Sequence, residues 1–322
     1  MSIDAVRQQA YNYNDFVFDQ AVQRTGGLRV MLLSTMTNYL CSLYGDKKAI
    51  EMIAEAGFDA VDYSMLNFED PKGILAGDDY RKKAEKVREM AEDCGLVINQ
   101  CHAPFDFNYS DPAGFGYATK MLRRSLEIAG ILGAKNVVVH PLHYRRYKEN
   151  AAFVHFENVK WYRSMLPAAK ECGVTICAEN MWQWNSDQTK ILPDECSFPD
   201  EFSFLVDEVG GKNFGACLDL GHAALTAQDV GWTTAEFIRK LGKKRLKALH
   251  VHDNDGVSDM HTAPYLGTVD WDEITKALKK IRYEGDFTFE ADSFLKYYPK
   301  EFIPTALKYL HDTGRMLMAQ IV

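Results

Sequence analysis

The chain lacks a Gly-x-Gly-x-x-Gly after a strand, a Gly-Lys-Ser/Thr phosphate-binding loop and a Gly-x-Ser-x-Gly elbow. Nucleotide-cofactor and serine-hydrolase chemistry are left without support. It has no Cys-x-x-Cys pair. Its cysteines (41, 94, 101, 172, 177, 196 and 217) are odd in number and several sit in apolar runs. They read as free thiols in a reducing cytosol, so a cytoplasmic location is expected. Basic residues are in deficit: Lys plus Arg is 37 against 45 Asp plus Glu, a net charge of −8. Duplex binding needs a positive face, so this balance argues against nucleic acid as partner. No apolar run reaches membrane-spanning length and the first ten residues have no secretory core, so no membrane partner is expected. No Gly/Ser-rich or Pro-rich linker divides the chain. The expected organisation is an N-terminal extension over 1–27 and a single domain over 28–322.

What is present is a set of apolar, strand-like runs that end in proton-moving or metal-binding residues. They are Asn136-Val-Val-Val-His140, Val174-Thr-Ile-Cys-Ala-Glu179, Phe214-Gly-Ala-Cys-Leu-Asp219, Leu246-Lys-Ala-Leu-His250 and Phe287-Thr-Phe-Glu290. One strand ending in a carboxylate is commonly a helix cap or surface residue. Five suggest that strand ends converge on one polar site, which an eight-stranded α/β barrel achieves best.

Glycine carries a second pattern. Charged amphipathic helices end at Gly57, Gly95, Gly133, Gly173 and Gly211, each followed by an apolar strand, at intervals of 38, 38, 40 and 38 residues. A helix turning back toward a strand commonly needs a left-handed residue, which Gly adopts without a Cβ clash. The runs Val-Val-Val and Phe-Thr-Phe are β-type, which disfavours a helical solenoid and favours parallel β-α units. Two further units, at Gly242 and Gly285, and a first strand at Leu28–Ser34 complete eight strands. They are expected to begin near 28, 58, 96, 136, 174, 214, 246 and 286. The fold class is therefore a (β/α)8 TIM barrel. Long connections at 103–114, 180–198 and 252–270 all follow strands, on the face where such barrels keep their chemistry.

Glu179, Asp219, His250 and Glu290 end consecutive strands. Their oxygen and imidazole donors suit Mn²⁺, Mg²⁺, Co²⁺ or Zn²⁺, and the absence of a thiolate set disfavours a purely structural zinc. His222, three residues past Asp219, reads as a substrate contact or second-metal ligand. His250 and His252 share one side of a strand, so His252 either touches substrate or stabilises the loop through a His–Asp pair. Asp259 and His261 repeat that spacing. His102 and His140 end earlier strands and are either buried, satisfied histidines or members of the site. Arg145 and Arg146 either hold a phosphate or form a solvated pair. Trp182 and Trp184 either wall the apolar face of a sugar or pack a loop.

The segments Cys217-Leu-Asp219-Leu-Gly-His222, His250-Val-His-Asp-Asn-Asp255, Asp259-Met-His261 and Leu266-Gly-Thr-Val-Asp-Trp271, with the Glu179 strand, resemble the xylose isomerase-like barrels. That superfamily includes sugar and sugar-phosphate isomerases and epimerases and the apurinic-site endonucleases. The resemblance covers about residues 28–320 and is nearest the sugar phosphate isomerase/epimerase branch. It implies a metal shell of Glu179, Asp219, His250 and Glu290. By analogy with the endonucleases, His102, His140, His222, Asp259 and His261 match further ligands of a three-zinc cluster. Where the epimerases carry an Arg after the strand-seven His, this chain has Asp253-Asn-Asp-Gly256. The expected function is isomerisation or epimerisation of a sugar, sugar phosphate or polyol-ketone through an enediolate. Glu179 and Glu290 would transfer the proton, and His222, His252, His102, His140, Asp259, His261 and Trp182 would contact substrate. The alternatives are a multi-zinc phosphodiesterase and an inosose dehydratase-like lyase. A small carbohydrate is the expected partner, and a homo-oligomer is compatible with this reading.

Overall fold

The computed structural model describes residues 30–109, 111–143 and 146–322. The expected extension over 1–27 and Arg145 lie outside the described residues. Ten strands occur among those described: β1 Leu33–Met36, β2 Ala60–Ser64, β3 Val97–His102, β4 Asn136–Val139, β5 Thr175–Glu179, β6 Trp182–Trp184, β7 Ile191–Pro193, β8 Phe214–Asp219, β9 Leu246–His250 and β10 Phe287–Phe289. Eight of them form one parallel sheet in the order β10-β1-β2-β3-β4-β5-β8-β9. A parallel bridge between Val251 and Phe289 joins β9 to β10 and closes the barrel. Helices alternate with the strands, and the (β/α)8 architecture follows. β6 and β7 form a separate antiparallel hairpin above it.

The glycine repeat has its physical counterpart. Gly57, Gly133 and Gly173 cap their helices in the left-handed region, at φ 99°, 82° and 73°. The later units work differently: the helix Pro199–Val209 is capped by Gly210 rather than Gly211, and Gly242 kinks the helix Thr234–Arg245 instead of ending it. In the last unit the left-handed cap is Arg282, at φ 55°. Gly285 is instead a point of close approach, where a Cβ would overlap the Tyr283 hydroxyl and crowd the Lys247 carbonyl.

The first strand begins at Leu33 rather than near Leu28. The backbone just before it is held by side chains: Leu32 N–H donates to Asp286 Oδ1 at 3.1 Å and Leu33 N–H to Asp59 Oδ2 at 2.8 Å. Two carboxylates thus stand where ladder partners would be.

Inside the barrel, Val138, Cys177, Cys217 and Ala248 form a small apolar layer. Side chains alternate faces along a strand, so the residue two positions on points the same way. Two residues past these four stand His140, Glu179, Asp219 and His250. The parity that fills the barrel with small residues therefore aims the polar ones into its C-terminal mouth. The larger apolar side chains, Leu33, Ile50, Phe202, Phe287 and Trp271 among them, pack in the main core.

A candidate metal centre at the barrel mouth

Glu179, Asp219 and His250 are the last residues of β5, β8 and β9, and Glu290 follows β10 directly. All four are buried. Each offers one ligand atom, and these atoms lie within 4.8 Å of one another. His250 Nδ1 is 3.0 Å from both Glu179 Oε1 and Glu290 Oε2. Asp219 also caps the helix Leu220–Val230, its Oδ1 accepting from His222 N–H at 2.6 Å. The common structural use of a strand-end carboxylate and membership of the site coincide in this residue.

Two other groups flank the four. On one side, His140 Nε2 and His102 Nε2 approach Glu179 Oε2 at 3.3 and 3.5 Å. The His102 ring stacks on His250 with centroids 5.3 Å apart, and Phe105 stacks on His140 at 4.3 Å. On the other side stand His222, His252, Asp259 and His261. His252 Nε2 is 2.9 Å from Asp219 Oδ1 and its ring stacks on His261 at 3.9 Å. Asp259 Oδ2 lies 3.1 Å from His261 Nε2, 3.5 Å from His222 Nε2 and accepts from Trp182 Nε1 at 3.1 Å. Asn180 ties the groups together. Its side chain bridges the backbone of Asp219 and its carbonyl takes His222 Nδ1 at 2.9 Å.

Gly221 permits this closeness, since a Cβ there would overlap the His252 ring. Asp253, in the position that lacks an Arg, binds the connection that follows β9. Its carboxylate accepts from Asn254 N–H, Tyr265 N–H, Val269 N–H and Trp271 Nε1 at 2.8–3.1 Å.

Asp62 was not among the residues expected at the site. It lies within β2, fully buried, with Oδ2 3.4 Å from His250 Nε2 and accepting from Gln100 Nε2 at 2.7 Å. It faces the ring nitrogen opposite the one that meets the glutamates, as a carboxylate that orients a metal-binding imidazole does. Its sequence signal is an acid inside the apolar run Ala60-Val-Asp-Tyr, rather than at a strand end. Arg146, by contrast, is outward and exposed, with Nη2 donating to Ser186 Oγ at 2.6 Å and Nη1 4.0 Å from Glu149.

Burial alone would raise the Glu179 carboxyl. The His250 charge and the close approach of the His102, His140 and His250 rings overcome it and hold the group well below the usual carboxylate range. Burial likewise opposes the charge on Asp219, but His222 and His252 bring it down to about 2. His261 is pushed up to about 10, because Asp259 outweighs the burial that would lower it. His140 goes the other way, to about 4, since burial prevails there.

Eight atoms around the mouth make no hydrogen bond: Asp62 Oδ1, His102 Nε2, His140 Nδ1, Glu179 Oε2, His222 Nε2, His250 Nε2, Asp259 Oδ1 and Glu290 Oε2. An unsatisfied buried polar atom costs about 1–3 kcal/mol. The balance of charge differs between the groups. Asp62, Glu179, Asp219 and Glu290 converge on His250, whereas Asp259 has three imidazoles beside it. The inner, carboxylate-rich group is the one that a divalent cation fits, with oxygen and nitrogen donors suited to a hard or borderline ion.

A closed parallel barrel whose strand ends carry such a cluster defines a class of TIM-barrel protein with its site at the C-terminal mouth. The chain belongs to the xylose isomerase-like TIM barrel family, whose model matches residues 50–312. Among solved structures it is similar to a D-tagatose 3-epimerase-like protein: 21% identity, TM-score 0.67, covering 91% of this chain and 100% of the other. Among curated proteins it is 25% identical to a ketose 3-epimerase of Arthrobacter globiformis, over 77% of this chain and 78% of that one. It is also 25% identical to a probable endonuclease 4 of Mycoplasma pneumoniae, over 56% of this chain and 62% of that one. No helix among the described residues is long and apolar enough to cross a membrane.

Proposed function

We propose that the protein is a divalent-metal-dependent isomerase or epimerase of a sugar, sugar phosphate or related polyol-ketone. The observation that carries this reading is the pair Glu179 and Glu290, both buried and both approaching His250 Nδ1 at 3.0 Å. A divalent ion held by Glu179, Asp219, His250 and Glu290 would polarise a carbonyl and stabilise enediolate charge. The side chains do the rest. One glutamate takes a proton from carbon and the other returns one, on the same face or the opposite one. Asp62 fixes the His250 ring. His222 and His252, tethered to Asn180, Asp219 and Asp259, present imidazole nitrogens to substrate hydroxyls, with His261 stacked behind. His102 and His140 set the environment of Glu179, and Trp182 closes the opposite wall over Asp259. Similarity to the ketose 3-epimerase supports a carbohydrate substrate. The seven cysteines, all free, suit a reducing cytoplasm.

A second reading is a multi-metal phosphodiesterase. The two flanking ligand groups and the similarity to the probable endonuclease favour it. The acidic balance of chain and mouth opposes a polyanionic substrate. The discriminating assay offers the Mn²⁺-loaded protein a panel of ketoses, aldoses and their phosphates beside an abasic duplex, with elemental analysis of bound metal. An isomer or epimer of one sugar and a single ion per chain are expected. Duplex cleavage without sugar turnover would replace the first reading by the second.

A further inference from the structure

A groove of about 590 Å³ opens beside the mouth, between the first turn of the helix Tyr147–Cys172 and the β6–β7 hairpin. The hairpin wall begins at the candidate metal centre, at Trp182, whose indole donates to Asp259. Trp182 and Trp184 lie two apart on one strand and so share a face, with ring centroids 5.3 Å apart. Trp182, edge-on to Trp184 with planes 84° apart, thus links the centre to the groove, where Trp184 is 45% exposed. Across from it, Tyr147 and Phe198 stack with planes 18° apart, and the Tyr147 hydroxyl is hydrogen-bonded to Glu201.

The charged lining carries one more acid than base. Arg146 and Lys148 are offset by Glu149, Glu201 and Asp229, while Gln183 and Asn185 are neutral. Arg146 is already engaged by Ser186 and Glu149. The groove thus offers an exposed indole and a mixture of donors and acceptors without net positive charge. That chemistry suits a neutral, polyhydroxylated ring rather than a phosphate.

Resting on the isomerase reading, we propose that the substrate is a glycoside: a keto sugar reacts at the mouth while a second sugar unit attached to it stacks on Trp184. The reacting unit and the groove are then two subsites of one ligand, and Trp184 is a specificity residue that takes no part in proton transfer.

The test compares D-fructose with maltulose and palatinose, which carry a glucosyl group on a fructose unit at different hydroxyls. Binding is measured by calorimetry on the Mn²⁺-loaded wild type and on Trp184→Ala, with circular dichroism as a check on folding. At least one disaccharide should bind the wild type about tenfold more tightly than fructose, since burying an aromatic contact contributes on that order. Trp184→Ala should erase that preference and leave fructose affinity unchanged. Equal affinity for all three in the wild type overturns the proposal, as does a loss in Trp184→Ala that is the same for fructose and the disaccharides. Carbon–deuterium exchange, followed in parallel, separates the two claims. A disaccharide preference without exchange upholds the groove and sinks the isomerase reading, whereas exchange without preference does the reverse.

Discussion

The two ends of the barrel both bury polar side chains, and they treat them differently. At the lower end, Ser34 Oγ donates to Asn99 Oδ1 at 2.9 Å, Asn99 Nδ2 donates to Asp286 Oδ2 at 3.1 Å, and Asp286 Oδ1 takes the Leu32 N–H. None of these side chains is left with an unpartnered buried atom. A bulge makes this possible: the β2–β3 register skips Asn99, freeing it to bridge the strands. At the upper end, histidines and carboxylates crowd together, yet eight of their atoms find no hydrogen bond. A polar network that closes on itself is part of the fold. One that leaves buried lone pairs unused is arranged around something else.

Substitutions at the two ends should therefore have opposite signatures. The largest effect is expected for His250→Ala. It removes the nitrogen that both glutamates approach, and should weaken Mn²⁺ binding at least about a thousandfold in calorimetry. Unfolding of the metal-free protein should change far less. At the lower end, Asp286→Ala strands the Asn99 amide and the Leu32 N–H. It should cost about 2–3 kcal/mol of stability in urea unfolding and leave Mn²⁺ affinity unchanged. A large loss of metal affinity there would erase the distinction between the ends. Asp62→Asn should sharpen it. As a residue that orients His250 without being one of the four, it should cost about 10–100-fold in Mn²⁺ affinity.

The smallest effect concerns Glu195, a buried acid on the segment that follows β7. Burial and the neighbouring Asp194 charge push its carboxyl up to about 8. The unfolded chain releases that proton near the ordinary value of 4.5. Stability from the neutral form is thus fully present below about 4.5 and is lost as pH rises toward 8. Glu195→Gln cannot titrate. Its melting temperature should gain on the wild type by a few degrees between pH 5 and pH 8. Parallel melting profiles would contradict that cause.

Much of the upper end is readable from sequence because two periodicities serve it. The glycine spacing marks where the helices before β2, β4 and β5 turn back. The alternation along each strand links Cys177 to Glu179, Cys217 to Asp219 and Ala248 to His250. What stays hidden depends on contacts remote in sequence. The first strand is displaced because Asp59 and Asp286, from other units, replace its ladder partners. Asp62 escapes because its strand does not end on it, and its neighbour His250 is far along the chain. The pairing of Trp182 and Trp184 with 191–193 as a hairpin carries no strong pattern, since the strands are short and the turn Asn185-Ser-Asp-Gln-Thr-Lys190 is polar throughout.

The most direct measurement is incorporation of solvent deuterium at carbon in a ketose incubated with the Mn²⁺-loaded enzyme, compared among wild type, Glu179→Gln and Glu290→Gln. Exchange in the wild type, its loss after chelation, and at least a hundredfold reduction in each variant are expected if the two carboxylates at the upper end move the proton. Exchange at the wild-type rate in both variants would contradict that assignment.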